Sequence, residues 1–504
     1  MGADGEGYTG RAKDLAAGQL AEPPPDFRAA HRAAWAFAEQ APSHSAWQTL
    51  TPDQGRAVKQ LAALTGIAAL LWLEACLVLA STCLLGFFLA AICFRLAACL
   101  TGAPASSGPP AGRPFELLKL PVYTILIALK DEMATIPQLA ESLRRLNYPA
   151  GLIDLKLLIE AGDTATRDAL LAECWPGDAE LLIVPPGEPR TKPRALNYGL
   201  AQARGEFVVV FDAEDRPHPD QLLAAIRAFR KGPAQLACLQ APLAGHGARG
   251  WLAAHWALEY AIQFGRLMPG LAALRLPIAL GGTSNHFRRR SLVSAGAWDP
   301  WNVTEDADLG LRLARAGYKV GMITPPTLEA PPERLGVWIA QRSRWLKGYL
   351  QTWLVIMRRP VSALRELGFA SFLSVQLTLG AALLAALVHG PWVLWLLVGM
   401  AVPELAPSPV FLAAAGFSYV ASLFIALIAP GGRGLPRLFL ALTLPLYWPL
   451  QSIAMARAVY GLLRRPHFWA KTPHEHTGDA PGHFGTGTFG MRSGLTRAEA
   501  SDAA

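Results

Sequence analysis

Three short segments in the middle of the chain contain residue types that could carry out chemistry. Asp212-Ala213-Glu214 ends a β-branched run that begins at Phe207, Thr304-Glu305-Asp306 opens an amphipathic helical pattern, and the segment Gln341 to Trp353 combines cations with aromatic rings. Closely spaced carboxylates bind hard divalent cations through their oxygen atoms. A carboxylate at the edge of a pocket can also deprotonate an attacking hydroxyl group. Taken singly, the three segments equally fit an acidic turn, a helix cap and a membrane-surface helix.

A fourth segment, Arg190 to Asn197 (RTKPRALN), brings three cations together just before a predicted helix. The amino end of a helix carries a partial positive charge and attracts phosphate groups. Lys192 or Arg194 could therefore face a phosphate, and ordinary surface cations are the alternative.

The elements that must position these residues are short buried strands. Four β-branched or apolar runs alternate with amphipathic helical patterns, namely 122–129, 155–160, 181–184 and 207–212. This alternation predicts an α/β domain with parallel strands. Ligands of such domains bind at the carboxyl ends of the strands. The acidic residues after Val210 are therefore expected at the ligand-binding edge of the sheet.

Two long apolar blocks flank this region. Residues 61–100 contain only Glu74 and Arg95 as charged residues, and the stretch between Glu366 and Arg433 contains only Glu404. Both blocks exceed the ~20 residues that cross a bilayer. We predict a hairpin of two spans in the first block, broken near Ser81 and Thr82, with one long tilted helix as the alternative. The second block divides into four predicted spans, namely 369–388, 391–402, 410–428 and 438–456, and Pro445 and Pro449 should kink the last of these.

The composition agrees with a membrane protein. Of the 504 residues, 52% are hydrophobic and 17% are charged, against roughly a quarter charged in soluble proteins. A wholly soluble globular protein is therefore excluded. A disulfide scaffold is excluded as well, because four of the six cysteines lie in the first apolar block. The net charge of +8 is explained by basic residues beside membrane spans, and no Lys/Arg stripe indicates nucleic acid as a partner.

Basic residues also predict the orientation. Arg358, Arg359 and Arg365 precede the second apolar block, and Arg464 and Arg465 follow it. Both ends of this block are therefore predicted in the cytoplasm. No cleavable signal peptide is expected. The predicted division is an amino-terminal cytoplasmic segment (1–60), a transmembrane hairpin (61–100), an α/β domain (115–359), transmembrane helices (369–460) and a partly disordered cytoplasmic tail (461–504).

The order of the motifs resembles that of the membrane-integrated family 2 glycosyltransferases, which include the cellulose, curdlan and hyaluronan synthases. The matching elements are a strand that ends in Asp212-Ala213-Glu214, then Thr304 to Asp306, then the QxxRW pattern of Gln341, Arg344 and Trp345. The resemblance covers roughly residues 121–359. It implies a GT-A (Rossmann-like nucleotide-diphosphosugar transferase) domain inserted between transmembrane helices, in a multi-pass protein of the cell inner membrane with a cytoplasmic catalytic domain. Phe468 to Thr472 (FWAKT) faintly resembles the gating loop of cellulose synthases.

The same resemblance implies a role for each motif. Asp212 and Glu214 would bind Mg²⁺ or Mn²⁺, and Asp306 would be the general base, with Glu305 as the other candidate. The expected contacts of the nucleotide sugar are Glu160, Asp163, Lys192, Asp212, Gln341, Arg344 and Trp345. The expected contacts of the acceptor are Thr304, Trp345, Gly282 and Ser284.

The predicted function is an inverting glycosyltransferase that moves a sugar from a nucleotide diphosphate sugar, UDP-glucose or a relative, to a growing polysaccharide. Export across the inner membrane, with export partner proteins, would accompany polymerisation. One alternative is a glycolipid glycosyltransferase that adds a single sugar to a lipid acceptor. Another is a transporter or sensor whose soluble domain binds a nucleotide without chemistry.

Overall fold

The computed structural model describes residues 20–102, 120–432 and 434–468. Residues 469–504 of the predicted tail lie outside the described residues, and with them all of the FWAKT segment except Phe468. Most of the linker predicted between the first apolar block and the α/β domain does so as well.

A mixed sheet of seven strands forms the centre of the α/β domain. Its order is β3-β2-β1-β4-β8-β6-β9, and a smaller sheet has the order β5-β10-β7. The strands are β1 (Tyr123–Leu129), β2 (Ile153–Glu160), β3 (Asp178–Val184), β4 (Phe207–Val210), β5 (Arg216–Pro217), β6 (Leu236–Gln240), β7 (Leu243–Gly245), β8 (Asn285–Arg288), β9 (Lys319–Met322) and β10 (Thr327–Glu329). The four predicted strands are confirmed as β1 to β4. The sheet is not purely parallel, however, because β8 runs antiparallel to both β4 and β6.

The strands are apolar on both faces because helices cover the sheet on both sides. Tyr123, Ile125 and Ile127 of β1 belong to one buried cluster, and Leu126 of the same strand belongs to another. Alternate residues of a strand point to opposite faces, so a continuous apolar run is what a doubly covered sheet requires.

Nineteen α-helices occur in the described part of the chain. Those before and within the α/β domain are α1 (Phe27–Gln40), α2 (Pro52–Leu71), α3 (Leu73–Thr101), α4 (Ile136–Arg144), α5 (Thr164–Leu171), α6 (Lys192–Leu200), α7 (Gln221–Lys231), α8 (Gly250–Ile262), α9 (Met268–Ala273), α10 (Arg289–Ser294), α11 (Glu305–Arg315) and α12 (Leu335–Ile356). Those that follow are α13 (Pro360–Leu367), α14 (Phe369–Val375), α15 (Ala381–Ala401), α16 (Pro409–Ile428), α17 (Leu435–Leu442), α18 (Leu444–Tyr447) and α19 (Pro449–Arg464).

Three helices of the described chain are long and apolar enough to cross a membrane, one before the α/β domain and two after it. They are Leu73–Thr101, Phe369–Ala401 and Pro409–Ile428. The predicted break near Ser81 and Thr82 is wrong, because α3 runs through both residues and the interruption lies at Trp72. A helix surrounded by lipid is apolar on all faces, so its sequence has no periodic pattern that would show where the helix is interrupted.

The predicted separation of 369–388 from 391–402 is also wrong. One helix runs from Phe369 to Ala401, with a π-helical turn at Gln376–Gly380 and Pro391 inside it. The side chain of Ser452 lies against the helical turn just before Pro391, where its hydroxyl donates to Ala386 O (2.6 Å) and accepts from Gly390 N (2.8 Å). Proline is tolerated in membrane helices when neighbouring groups satisfy the backbone in this way. The last predicted span is bent, by 48° between Leu435–Leu442 and Leu444–Arg464.

Candidate active site

The carboxyl edge of the sheet opens into a cavity of 1220 Å³ that continues between the apolar helices. Most of the site residues predicted from the sequence line this cavity. They come from the end of β2, the turn after β4, the loop before β8, the first turns of α6 and α11, and α12. These residues are Glu160, Lys192, Asp212, Glu214, Gly282, Thr304, Glu305, Asp306, Gln341, Arg344 and Trp345.

Asp163 and Ser284 do not line this cavity. Asp163 caps α5, and its carboxylate accepts hydrogen bonds from Thr166 N (3.2 Å) and Asp131 N (2.7 Å). Ser284 is fully buried, and its hydroxyl is hydrogen-bonded to the Thr327 hydroxyl. Both side chains bond to neighbouring groups away from the cavity, and their roles as contacts of the nucleotide and the acceptor stay predictions.

Lys192 lies among carboxylates. Its ammonium group donates to Asp212 Oδ1 and to the carbonyl oxygen of Gly282, the latter at 2.8 Å. Burial alone would lower the pKa of Lys192, but Asp212 and Glu305 together raise it above its usual range. Lys192 is therefore a permanent cation that joins the end of β4 to the loop before β8.

Arg194 has a different position from Lys192. Its guanidinium is buried and donates to both carboxylate oxygens of Glu160 at 3.3 Å. Burial raises the pKa of Glu160, and Arg194 counteracts this effect. Of the two cations that could face a phosphate, only Lys192 therefore lines the cavity, and Arg194 orients Glu160.

The acidic residues after β4 fit a divalent cation. Asp212 and Glu214 line the cavity together with Glu329 of β10. Burial, followed by repulsion from Glu214 and Asp212, raises the pKa of Glu329 to about 8. A bound cation would relieve this repulsion. Within the described residues no three His, Cys, Asp or Glu side chains form a complete metal site, and Mg²⁺ commonly takes one or two carboxylates and completes its shell with substrate phosphates and water.

Asp215 does not line the cavity. Its side chain is fully buried, and Oδ2 accepts from Asp212 N (2.8 Å) and from the Thr283 hydroxyl. These bonds hold the turn after β4 in a fixed shape. Asp215 thus orients Asp212.

Glu305 and Asp306 occupy the first turn of α11. Asp306 Oδ1 is buried without a hydrogen-bond partner among the described residues, and Oδ2 lies 3.3 Å from the position that a Cβ on Gly282 would occupy. Burial raises the pKa of Asp306. Burial and then the charge of Asp306 raise the pKa of Glu305 to about 8. The unpartnered Oδ1 makes Asp306 the first candidate base of the pair.

The QxxRW residues project from α12. Gln341 Oε1 accepts from Trp256 Nε1 at 3.0 Å. The ring of Trp345 lies 4.6 Å from the guanidinium of Arg342 and 6.3 Å from the ring of Tyr260, measured to ring centroids. Trp345 is held as one wall of the cavity.

Sequence reasoning missed Glu329 and the pair formed by Glu259 and Arg342, all of which line the cavity. Arg342 Nη2 donates to Glu259 Oε2 at 2.5 Å. A signal for Glu259 existed, since it is the one acidic residue in the otherwise apolar helix α8. Arg342 lies at an unspecified position of the QxxRW pattern, so the pattern did not select it.

The cavity becomes apolar with distance from the carboxylates. Its far walls are built by α3, α15 and α16, for example by Leu85, Leu89 and Ile92 of α3 and by Leu396 and Phe411 of the later helices. One continuous space therefore joins the acidic edge of the sheet to the apolar helices.

Comparison with known proteins agrees with this architecture. Residues 207–430 match the family model described as Glycosyl transferase family group 2. The chain is 28% identical over 287 residues to a beta-monoglucosyldiacylglycerol synthase of Synechocystis sp., with 54% of this chain and 58% of that protein covered. It is 25% identical over 233 residues to a poly-beta-1,6-N-acetyl-D-glucosamine synthase of Staphylococcus aureus, with 45% and 54% covered. The chain thus spans less than two thirds of the length of these relatives.

Among solved structures, a mannosyltransferase from Pyrobaculum calidifontis in complex with GDP-Man and Mn²⁺ has a TM-score of 0.45 and 19% identity, and 76% of this chain and 99% of that one are covered. The predicted GT-A α/β fold with flanking apolar helices is confirmed. The predicted similarity to family 2 glycosyltransferases is confirmed over the matched region. The narrower resemblance to cellulose and hyaluronan synthases is not confirmed, since the relatives named above are a glucosyldiacylglycerol synthase and an N-acetylglucosamine polymer synthase.

Proposed function

We propose that the protein is a membrane glycosyltransferase that transfers one sugar from a nucleotide diphosphate sugar to a lipid acceptor. The observation that supports it most directly is the cavity that runs without interruption from Asp306 to the apolar walls of α3 and α16. The similarity to monoglucosyldiacylglycerol synthases agrees with this choice. It also makes UDP-glucose the first donor to test.

The walls of the cavity favour a lipid over a polysaccharide. The hydroxyl groups of a glycan need hydrogen-bond partners once they leave water, and an unmade bond is costly. The side chains of Leu85, Leu89 and Ile92 offer none. Acyl chains, by contrast, form no hydrogen bonds, so they can move from the bilayer to such a wall without losing any. The export partner proteins of the polysaccharide hypothesis are not required by this proposal.

On the donor side, Asp212 and Glu214 would hold Mg²⁺ or Mn²⁺, and the metal when bound would neutralise the diphosphate leaving group. Glu160, oriented by Arg194, is the proposed contact of the nucleoside. Lys192 and Arg344 line the same part of the cavity and supply fixed positive charge near the departing diphosphate. Trp345 and Gln341 form the adjacent wall.

The reaction is a single displacement. Asp306 accepts the proton of the acceptor hydroxyl while the hydroxyl oxygen forms a bond to the anomeric carbon of the sugar. The bond from that carbon to the diphosphate oxygen breaks, and the nucleoside diphosphate leaves with the bonding electron pair. Attack from the opposite face inverts the anomeric configuration. Burial of Asp306, which raises its pKa, makes it a stronger base than an exposed aspartate.

We propose that the protein is a multi-pass protein of the inner membrane, and the arrangement of the first helices supports the multi-pass topology. The helix α1 packs on the α/β domain, with Asp26 N bonded to Tyr198 OH at 3.0 Å. Gln54 Nε2 at the start of α2 donates to Leu354 O (2.8 Å), and Gly102 O after α3 accepts from Arg266 Nη1 (3.0 Å). A segment that leaves and returns to the same side of a membrane crosses it an even number of times. The helix α2 has no buried residue and is less apolar than the three helices that could cross a membrane by themselves. We propose that it completes the second crossing beside α3, with the turn at Trp72.

The proposal is tested with purified protein in liposomes that contain diacylglycerol, supplied with radiolabelled UDP-glucose and Mg²⁺. Label should enter the organic phase on extraction, and Asp306→Asn should abolish this transfer. Label in a polymer that stays out of the organic phase would contradict the lipid acceptor. UDP binding without any transfer would favour the non-catalytic transporter or sensor.

A further inference from the structure

The membrane part of the cavity has mostly apolar walls that also carry polar side chains, and four of these form a strip. This polar strip consists of Arg342, Glu259, Gln451 and His389, all of which line the cavity. Resting on the proposed function, we propose that the polar strip binds the glycerol-ester region of an uncharged diacyl lipid, and that His389 donates a hydrogen bond to an ester carbonyl of this acceptor.

His389 is the residue that points most directly to a ligand. It lies inside the apolar helix Phe369–Ala401 and stacks on Trp448, with ring centroids 5.2 Å apart and an interplanar angle of 14°. Its Nδ1 atom is buried and has no hydrogen-bond partner among the described residues. An ionisable side chain within a membrane span is costly and usually serves a function. A ligand in the cavity can supply the missing partner.

The polar strip connects His389 with the reaction centre. Gln451, one turn beyond Trp448 along the chain, donates to Glu259 Oε1 at 3.3 Å. Glu259 in turn forms the ion pair with Arg342, whose guanidinium lies over the ring of Trp345. A lipid whose hydroxyl reaches Asp306 could therefore keep its ester groups beside polar atoms and its chains against the apolar wall.

The charge of the polar strip favours an uncharged lipid. Arg342 is its one cation, and Glu259 neutralises it while also accepting from Tyr447 OH at 2.8 Å. An anionic lipid such as a polyprenyl phosphate would bring a phosphate to a strip whose one cation is already paired. The other cation of the membrane helices that lines the cavity, Arg95 of α3, lies outside the strip. Burial of a charge without a partner is unfavourable. Ester carbonyls need only hydrogen-bond donors.

The test uses three variants of the full-length protein in mixed micelles. His389→Phe keeps an aromatic ring to stack on Trp448 and removes hydrogen bonding, and His389→Gln retains a hydrogen-bond donor. Leu387→Ala is the control, because Leu387 lies on the same helix, is exposed and does not line the cavity. For His389→Phe we expect the KM for dioleoylglycerol to rise about three- to tenfold, the effect of one lost hydrogen bond, with the KM for UDP-glucose unchanged. His389→Gln should recover part of this loss.

A diether analogue, which lacks the ester carbonyls, makes the test specific. The wild type should prefer the diester. His389→Phe should lose this preference because the variant lacks the imidazole that binds the ester carbonyl. A preference that survives in His389→Phe would overturn the role of His389 while the proposed function stands. Faster transfer to a polyprenyl phosphate than to dioleoylglycerol would overturn the proposal that the acceptor is uncharged. If the wild type glycosylated no lipid at all, the proposed function itself would fail.

Discussion

Gly348 of α12 lies directly against Thr304, so that an added Cβ would fall 2.6 Å from Thr304 Cγ2 and overlap the threonine hydroxyl. The two motifs that contribute the candidate base and the QxxRW residues are thus in contact through a glycine. Only a residue without a side chain permits this approach. The contact brings the start of α11, which contributes Asp306, next to α12.

Gly348→Ala should therefore separate the two motifs. We expect kcat to fall by about 10²-fold, because small displacements of catalytic groups have effects of that size. Gly336→Ala is the matched control, since Gly336 lies in the same helix with no atom near its Cβ position. Activity and thermal unfolding of both variants should be compared. Equal activity of Gly348→Ala and Gly336→Ala would show that the contact does not position the site.

Asp306→Asn should remove the general base without disturbing the fold. The amide is of similar size and cannot accept the proton, so transfer should slow by about 10²-fold or more. Binding of UDP, measured by calorimetry, should remain near the wild-type value because the proposed contact of Asp306 is the acceptor and not the nucleotide. Near-normal turnover would assign the base to another residue, with Glu305 the first to examine.

The pH dependence separates Asp306 from Glu305. Activity requires the ionised base, so it is present above the pKa of that base and lost as the pH falls through it. If Asp306 is the base, kcat/KM should level off well below pH 8, with an acidic limb above the ordinary aspartate range because burial raises its pKa. Glu305→Gln should retain this profile. A rate that rises up to the pKa of Glu305, about 8, would identify Glu305 instead.

Metal dependence tests the roles of Asp212 and Glu214. Chelation should abolish transfer, and Mg²⁺ or Mn²⁺ should restore it, because two carboxylates and a diphosphate are suitable oxygen ligands. Asp212→Asn and Glu214→Gln should each weaken Mn²⁺ binding in the presence of UDP, measured by electron paramagnetic resonance. Full activity in excess chelator would refute the assignment.

The four strands β1 to β4 could be predicted from the sequence, and so could the edge of the sheet at which the polar site residues lie. Val208, Val209 and Val210 form a run that only a doubly covered strand explains, so the position of Asp212 follows from it. Contacts between distant segments could not be predicted in the same way. Examples are the insertion of the antiparallel β8 beside β4 and the burial of Ser284 against Thr327.

The membrane helices were harder to divide than the α/β domain. Pro391 normally marks a helix end, but a hydroxyl from another helix, that of Ser452, satisfies the backbone beside it. Such compensation depends on tertiary packing and leaves no local pattern. The ion pair of Glu259 and Arg342 could not be predicted for the same reason. The two residues are far apart in the chain and meet only where α8 contacts α12.

The number of sugars added to each acceptor tests the central claim most directly. Purified protein is incubated with dioleoylglycerol and a large excess of UDP-glucose until transfer stops, and the products are measured by mass spectrometry. A cavity filled by a lipid acceptor predicts one product, heavier than dioleoylglycerol by a single hexose residue. A ladder of products with increasing hexose number, or a polymer free of lipid, would contradict it.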